Sequence, residues 1–206
     1  MGWLRGTLVV LLSLLAGWVQ ANTVVLNDQG QRALDSHVRY LEDSEHRLTV
    51  ADLIGTPQHW RHNTRDAFNQ GYNDSSWWLH LSLRNAGDDP QSRFLEIAYA
   101  VLDHVDVHLR YGDGRLVHHQ LGDKLPYPRR LVDHPFFIIP IDWQPQETVD
   151  VYIRLRTSSA VQAPLTLWQK DIFQSHVTTA NILQGFYYGA LIIIAIYNLL
   201  LFFALG

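Results

Sequence analysis

From Ile182 to Leu205 the chain is an almost unbroken apolar run without a charged residue, and this segment constrains everything before it. Roughly 20 apolar residues in a helix span a hydrocarbon core of about 30 Å, so the run reads as a membrane anchor. A buried core helix is the competing reading, but a uniformly apolar stretch of this length exceeds what such helices usually need. Tyr187 and Tyr188 stand near the start of the run, where amphipathic rings favour the membrane interface. From Gly185 onward Asn198 is the one polar amide within it, and an amide in lipid is expected to face another helix, which implies a bundle. The chain therefore reads as part of a larger membrane protein.

The opposite end carries a second apolar segment. Arg5 gives a short positive start, Leu8 to Leu15 an apolar stretch, and Val19-Gln20-Ala21 a small-residue cleavage site, so residues 1–21 read as a secretory signal peptide. An uncleaved anchor is the alternative. Either reading places residues 22–178 outside the cytoplasm, in the periplasm of a bacterium, with the anchor (182–206) in the inner membrane.

Between the two ends lie roughly 155 residues, enough for one domain with a sizeable core. The formal net charge is -4 and Lys and Arg are scattered, which excludes a nucleic-acid partner on electrostatic grounds. Cysteine is absent, so disulfides, thiol chemistry and cysteine-based metal sites are excluded, and hydrophobic packing must hold the domain. Gly-x-Ser-x-Gly and His-Glu-x-x-His are also missing, which leaves no recognisable catalytic motif and no implied cofactor. Glu96, Asp103 and Asp106 are the carboxylates from which a hydrolase would have to draw.

The body of the chain alternates with period two. Trp77, Leu79, Leu81 and Leu83 point one way and Trp78, His80, Ser82 and Arg84 the other, the pattern of a half-buried strand. Further strands are expected over 93–100, 104–111, 115–121, 135–141, 149–156 and 164–168, separated by turn residues such as Asp113-Gly114. Residues 38–41 are expected as an edge strand and 48–54 as a short helical turn capped by Gly55. The sum is a mainly β chain, an antiparallel jelly-roll sandwich followed by a transmembrane helix. Residues 171–183 lack a breaker and are expected to continue the membrane helix outward.

Alternation also supplies a candidate binding face. Trp78, His80, Ser82 and Arg84 share one side of their strand, His104, Asp106, His108 and Arg110 one side of another, and Asp150, Tyr152, Arg154 and Arg156 one side of a third. Aromatic rings beside guanidinium and carboxylate groups suit sugars and small organic acids. The competing reading is a solvated sheet face laced with ion pairs. An outward Trp78 indole, costly to leave wet, favours the ligand. Arg129 and Arg130 end a Pro-rich loop that could close one end of the sandwich over an anionic group. His104, Asp106 and His108 are spaced i, i+2, i+4 on one strand face, a weak metal-ligand pattern near His118-His119; oxygen-rich loops at Asn73-Asp74 and Asp88-Asp89 are equally weak calcium candidates.

The motifs Tyr40-Leu41-Glu42-Asp43, Leu48-Thr49-Val50-Ala51-Asp52-Leu53, Trp77 to Asn85, Leu102 to Val107, Gly122-Asp123, Tyr152-Ile153-Arg154 and Gly185-Phe186-Tyr187-Tyr188-Gly189, in this order, resemble the bacterial seven-transmembrane receptors with diverse intracellular signalling modules (7TMR-DISM). The resemblance covers nearly all of the mature chain. It implies the second type of extracellular domain of that family, a jelly roll related in shape to carbohydrate-binding modules, followed by the first membrane helix. It further implies six more membrane helices and a cytoplasmic histidine kinase or diguanylate cyclase. His80 stands where members of the family often have Arg, which would alter specificity if that residue touches ligand. The expected function is a periplasmic sensory input domain for a carbohydrate or organic acid. A protein-binding or structural module, with a periplasmic protein or a second copy as partner, and a calcium or metal-ion sensor are the alternatives.

Overall fold

The computed structural model describes residues 23–205; the signal-peptide reading of residues 1–21 lies outside them. Thirteen strands are present among the described residues: β1 (Thr23–Val25), β2 (Gln31–Ala33), β3 (Arg39–Asp43), β4 (Arg61–His62), β5 (Phe68–Gly71), β6 (Ser76–Arg84), β7 (Gln91–Ile97), β8 (His104–Arg110), β9 (Leu116–Leu121), β10 (Phe137–Trp143), β11 (Thr148–Arg156), β12 (Val161–Ala163) and β13 (Leu165–Gln169). The first sheet runs β4-β3-β6-β11-β8-β9, the second β10-β7-β13-β2, and β12 pairs with β5 as a separate ribbon. Pairing is antiparallel except where β1 lies parallel to the end of β6, beyond the stretch that β3 occupies.

Period-two alternation explains why two sheets close over one core. Trp77, Leu79, Leu81 and Leu83 of β6, Val105, Val107 and Leu109 of β8, and Val149, Val151, Ile153 and Leu155 of β11 face Leu95 and Ile97 of β7, Ile139 and Ile141 of β10, and Leu165 and Leu167 of β13. Trp143 joins the layers, its Nε1 donating to the Leu83 carbonyl at 3.2 Å. Asp35 stitches the N-terminal segment to both sides, its carboxylate accepting from the Phe68 and Leu165 amides at 3.3 Å. Burial pushes its carboxyl above the ordinary value against those hydrogen bonds.

The structure corrects three expectations. The β6 strand is not half-buried: Ser76 to Leu83 are buried on both faces, because the side that alternation assigns to solvent is covered. The cover is the six-residue helix Val50–Gly55, which contributes Leu53 and, with Leu41, Leu48, Ile54 and Trp60, buries Trp78 and Tyr152 in a second apolar cluster. Thr49 caps this helix through a reciprocal capping box with Asp52, and Gly55 is its last residue rather than its cap, a place taken by Thr56. The expected edge strand, β3, is interior, paired with β6 on one side and with the two residues of β4 on the other.

The helix Lys170–Leu205 follows β13 without a linker and runs 36 residues, about 54 Å at 1.5 Å per residue. Its mean hydropathy reaches 2.3 and that apolar window is wholly unburied, so it is long and apolar enough to cross a membrane. The first turns are anchored differently: Phe173 is buried against Trp168, Ile138 and Phe94 on the outer face of the second sheet. Lys170 adds an ion pair to Asp142 at 3.8 Å. Asn198 does not depend on a neighbouring helix for its donor, since its amide donates to the Ile194 carbonyl one turn back at 2.8 Å.

Gly122 ends the β8–β9 hairpin at φ +138°, and a Cβ there would lie 2.1 Å from the Asp103 carbonyl oxygen. Backbone cannot yield as a side chain can, so Gly122→Ala should destabilise the domain by about 3 kcal/mol or more, read as a lowered urea midpoint with an unchanged m-value.

Candidate functional site

Cross-strand register brings the alternating residues of the first sheet together on its outer face. On β11, Arg154 lies opposite Trp78 on one side and Asp106 on the other, and Tyr152 lies opposite His80 and His108. The hairpin return places His118 beside His108 and Gln120 beside Asp106. Arg156 pairs with His104 and continues the row to the end of β11.

This face has a covered half and an open half. In the covered half, Trp78 is 1% exposed, with His80 and Tyr152 also buried, so the indole is no outward stacking platform. The reason is energetic: the Val50–Gly55 helix and Leu48 remove from water an indole that would otherwise be wet. His80 packs between rings, 4.5 Å from Tyr152 and 5.4 Å from Trp60. Arg39 Nη2 donates to His80 Nδ1 at 2.8 Å, which fixes the ring as the neutral tautomer with its proton on Nε2. That Nε2 faces Asp150 Oδ1 at 3.6 Å, too long for a hydrogen bond. Burial and, secondarily, Arg39 hold the His80 pKa below its ordinary value, against the opposing pull of Asp150. Burial pushes Asp150 up, but His80, the Ser82 hydroxyl at 2.5 Å and the Arg110 guanidinium together hold it below the usual carboxylate range.

In the open half a cleft of about 280 Å³ lies between the Leu48–Val50 segment and the side chains of Trp78, Arg154, His108 and His118. A second hollow of about 160 Å³ continues it past Asp106, Arg154 and Arg156 toward Leu125. His108 and His118 stack in parallel at 4.2 Å, and His118 Nε2 lies 3.2 Å from Asp106 Oδ1. Arg154 reaches back over Trp78, its Cζ 5.9 Å from the ring centroid, and donates through Nη2 to the His46 carbonyl at 3.3 Å.

The hydrogen-bond inventory singles out this face. Among the described residues, the buried side-chain nitrogen and oxygen atoms without a partner are Trp78 Nε1, His80 Nε2, His108 Nδ1 and Arg154 Nε, and all four lie here. Buried polar atoms are otherwise almost always paired, so such a concentration marks a place built for something besides packing. The neighbouring Trp77, by contrast, donates its indole N–H to Asn73 Oδ1 at 2.8 Å.

Other candidate residues fall elsewhere. Arg84 is exposed at the far end of β6, opposite Thr148, and Arg110 faces Asp150. Arg130 is spent on the carbonyls of His134, Pro135 and Phe136 and lies over the Phe137 ring of the second sheet. It does not join the cleft, and Arg129 is exposed beside it as the last residue of the short 3-10 turn that Arg130 caps. The set His104, Asp106 and His108 does not converge: stacking of His108 on His118 directs the rings parallel, and among the described residues no three metal-ligating side chains form a cluster. Asp103 likewise turns to Ser158, accepting from its amide at 2.9 Å and its hydroxyl at 2.8 Å. Sequence reading passed over Leu48, Thr49 and Gln120 because the cover and the hairpin return that bring them to the cleft are tertiary features.

Burial first, and then the charges of His118 and Arg154, push the His108 pKa down to about 4, against a raising pull from Asp106. The unfolded chain, with His near 6.5, therefore binds the extra proton first as pH falls. Stability is full above about 6.5 and declines from there toward about 4, by on the order of 1–2 kcal/mol after allowance for the partial exposure of the ring. His108→Gln should flatten the pH dependence of the melting temperature within this window, measured by circular dichroism from pH 7 to 4.

The 7TMR-DISM extracellular 2 family model matches residues 35–169, which takes in the strands from β3 to β13 and the helix over Trp78. No curated protein matches the chain. Among solved structures, a Bacillus thuringiensis Cry1Da tryptic core variant aligns at 15% identity and a TM-score of 0.30 over 52% of this chain and 18% of its own, a likeness too distant to bear on fold or function. With two sheets over one core, a covered face and an apolar helix leading out of the last strand, the chain belongs to the 7TMR-DISM extracellular 2 family.

Proposed function

We propose that this domain is the sensory input of a membrane receptor, standing in the periplasm on a helix that crosses the inner membrane. It takes a small molecule, a carbohydrate or an organic acid, in the cleft beside Arg154 and passes the event to a cytoplasmic signalling module. The observation that carries this reading is the group of four unpartnered buried nitrogens on the outer face of one sheet. The family match and the candidate spanning helix support the receptor setting.

The geometry suits signalling because each outer face of the two-sheet body carries a helix over part of its area. The Val50–Gly55 helix borders the cleft on one side, and the membrane helix packs on the other through Phe173. A ligand that prefers one arrangement of the cover biases the domain by its differential affinity and by no more than that. A close-packed core then carries the displacement to the anchored face.

The test is thermal unfolding of the full chain in detergent against panels of mono- and oligosaccharides and of organic acids. A ligand at 100 times its Kd should add about 2.7 kcal/mol of stability, a rise of several degrees in melting temperature. No shift with any compound would overturn the small-molecule reading and leave a protein partner as the input.

A further inference from the structure

We infer that the cleft is selective for a small carboxylate, a diacid by preference, held by Trp78 and Arg154 at its inner end and by Arg156 at its outer end. This rests on the sensory reading above and narrows it to one ligand class.

The argument begins from donors. Trp78 Nε1 and Arg154 Nε each carry a hydrogen that can only be donated, each is buried, and neither has an acceptor. The two residues face each other directly across the β6–β11 pair, and the guanidinium lies over the indole. Two donors cannot satisfy one another, so the site is incomplete without an acceptor. His108 Nδ1, on the ring stacked 5.9 Å from Trp78, lacks a partner in the same place.

Charge selects the acceptor. The Arg154 guanidinium is half-buried and permanently positive, yet among the described residues no carboxylate lies within ion-pair distance of it. Asp106, its partner in register, has its Oδ1 engaged by His118. A half-buried cation without a counterion is costly, and an anion that also accepts from the indole removes both penalties. A sugar hydroxyl would accept the hydrogen bonds but leave the charge uncompensated. Arg156, two residues further along the same strand face and therefore about 7 Å away, is exposed and lines the continuing hollow with Arg154. It offers a second cation to the far end of a short diacid. Because the orphaned nitrogens are themselves out of contact with solvent, entry requires the Leu48–Val50 edge of the cleft to give way.

Isothermal titration of the full chain in detergent with succinate, its neutral isostere succinamide, and glucose tests this. Succinate should bind, succinamide should not, and Arg154→Gln should weaken succinate roughly tenfold or more while leaving the circular dichroism spectrum unchanged. Arg156→Gln, a surface change, should weaken it by a smaller factor. Trp78→Phe removes the indole donor and retains the apolar bulk; should it fail to fold, the two arginine variants decide the matter alone. Equal binding of succinate and succinamide, or succinate binding undiminished by Arg154→Gln, would overturn the inference. Glucose binding in place of succinate would also overturn it while leaving the sensory reading intact. Silence with all three probes means that the donors are met by trapped water; it sinks the carboxylate inference, and the wider panel of sugars and acids then decides the sensory reading.

Discussion

Burial of β6 on both faces is the constraint on which the rest of the structure depends. Trp77 and Trp78 are adjacent in sequence and point in opposite directions, so two large aromatics must be removed from water on two sides of one sheet. On one side this creates the main core between the sheets. On the other it demands a separate cover, which the chain supplies locally with the Val50–Gly55 helix and the residues around it. That cover is a six-residue helix held by a capping box and a few apolar contacts, far less than the interlocked sheet beneath it. An element attached in this way belongs to the part of a structure that opens first.

The second sheet resolves the same problem by different means. Its outer face carries Phe94, Ile138 and Trp168, and the start of the C-terminal helix buries them through Phe173. Trp168 also donates to the buried Glu96 carboxylate at 2.7 Å, so the strand that feeds the helix is tied to its neighbour by a charge-assisted bond. A Cβ on Gly30 would lie 2.7 Å from the Ile172 side chain, which shows how closely the N-terminal segment meets the helix start. Helix and β13 are thus one continuous, packed element, and movement at the sheet cannot be absorbed by a slack linker.

Polar satisfaction distinguishes the two faces. Around the start of the C-terminal helix the buried polar groups find partners, as Trp168 does with Glu96. On the outer face of the first sheet four nitrogens do not, although Asp150, Ser82 and Arg39 show that the same surface can build well-satisfied contacts a few ångströms away. Unpaired donors beside an uncompensated guanidinium are a cost that packing alone would not preserve.

Much of this was determined by the sequence by itself. Period-two alternation in β6, β8 and β11 assigned the core faces, the uncharged run from Ile182 to Leu205 marked a C-terminal helix long and apolar enough to cross a membrane, and the order of motifs indicated the family. The same alternation named Trp78, Asp106, His108 and Arg154 as one face, since parity is a local property of an extended chain. Tertiary structure decided whether that face is open. Trp78 reads as outward from parity, but a helix more than 20 residues earlier in the chain folds over it, and no local pattern encodes that contact. Register decided which strands share the face, which excluded Arg130 and brought in Gln120. Strands of two to four residues, such as β1, β4, β5 and β12, escaped notice because they are too short to show a period and exist through pairing with partners distant in the chain. Alternation is written residue by residue, whereas cover, register and unpaired donors arise only when distant segments meet.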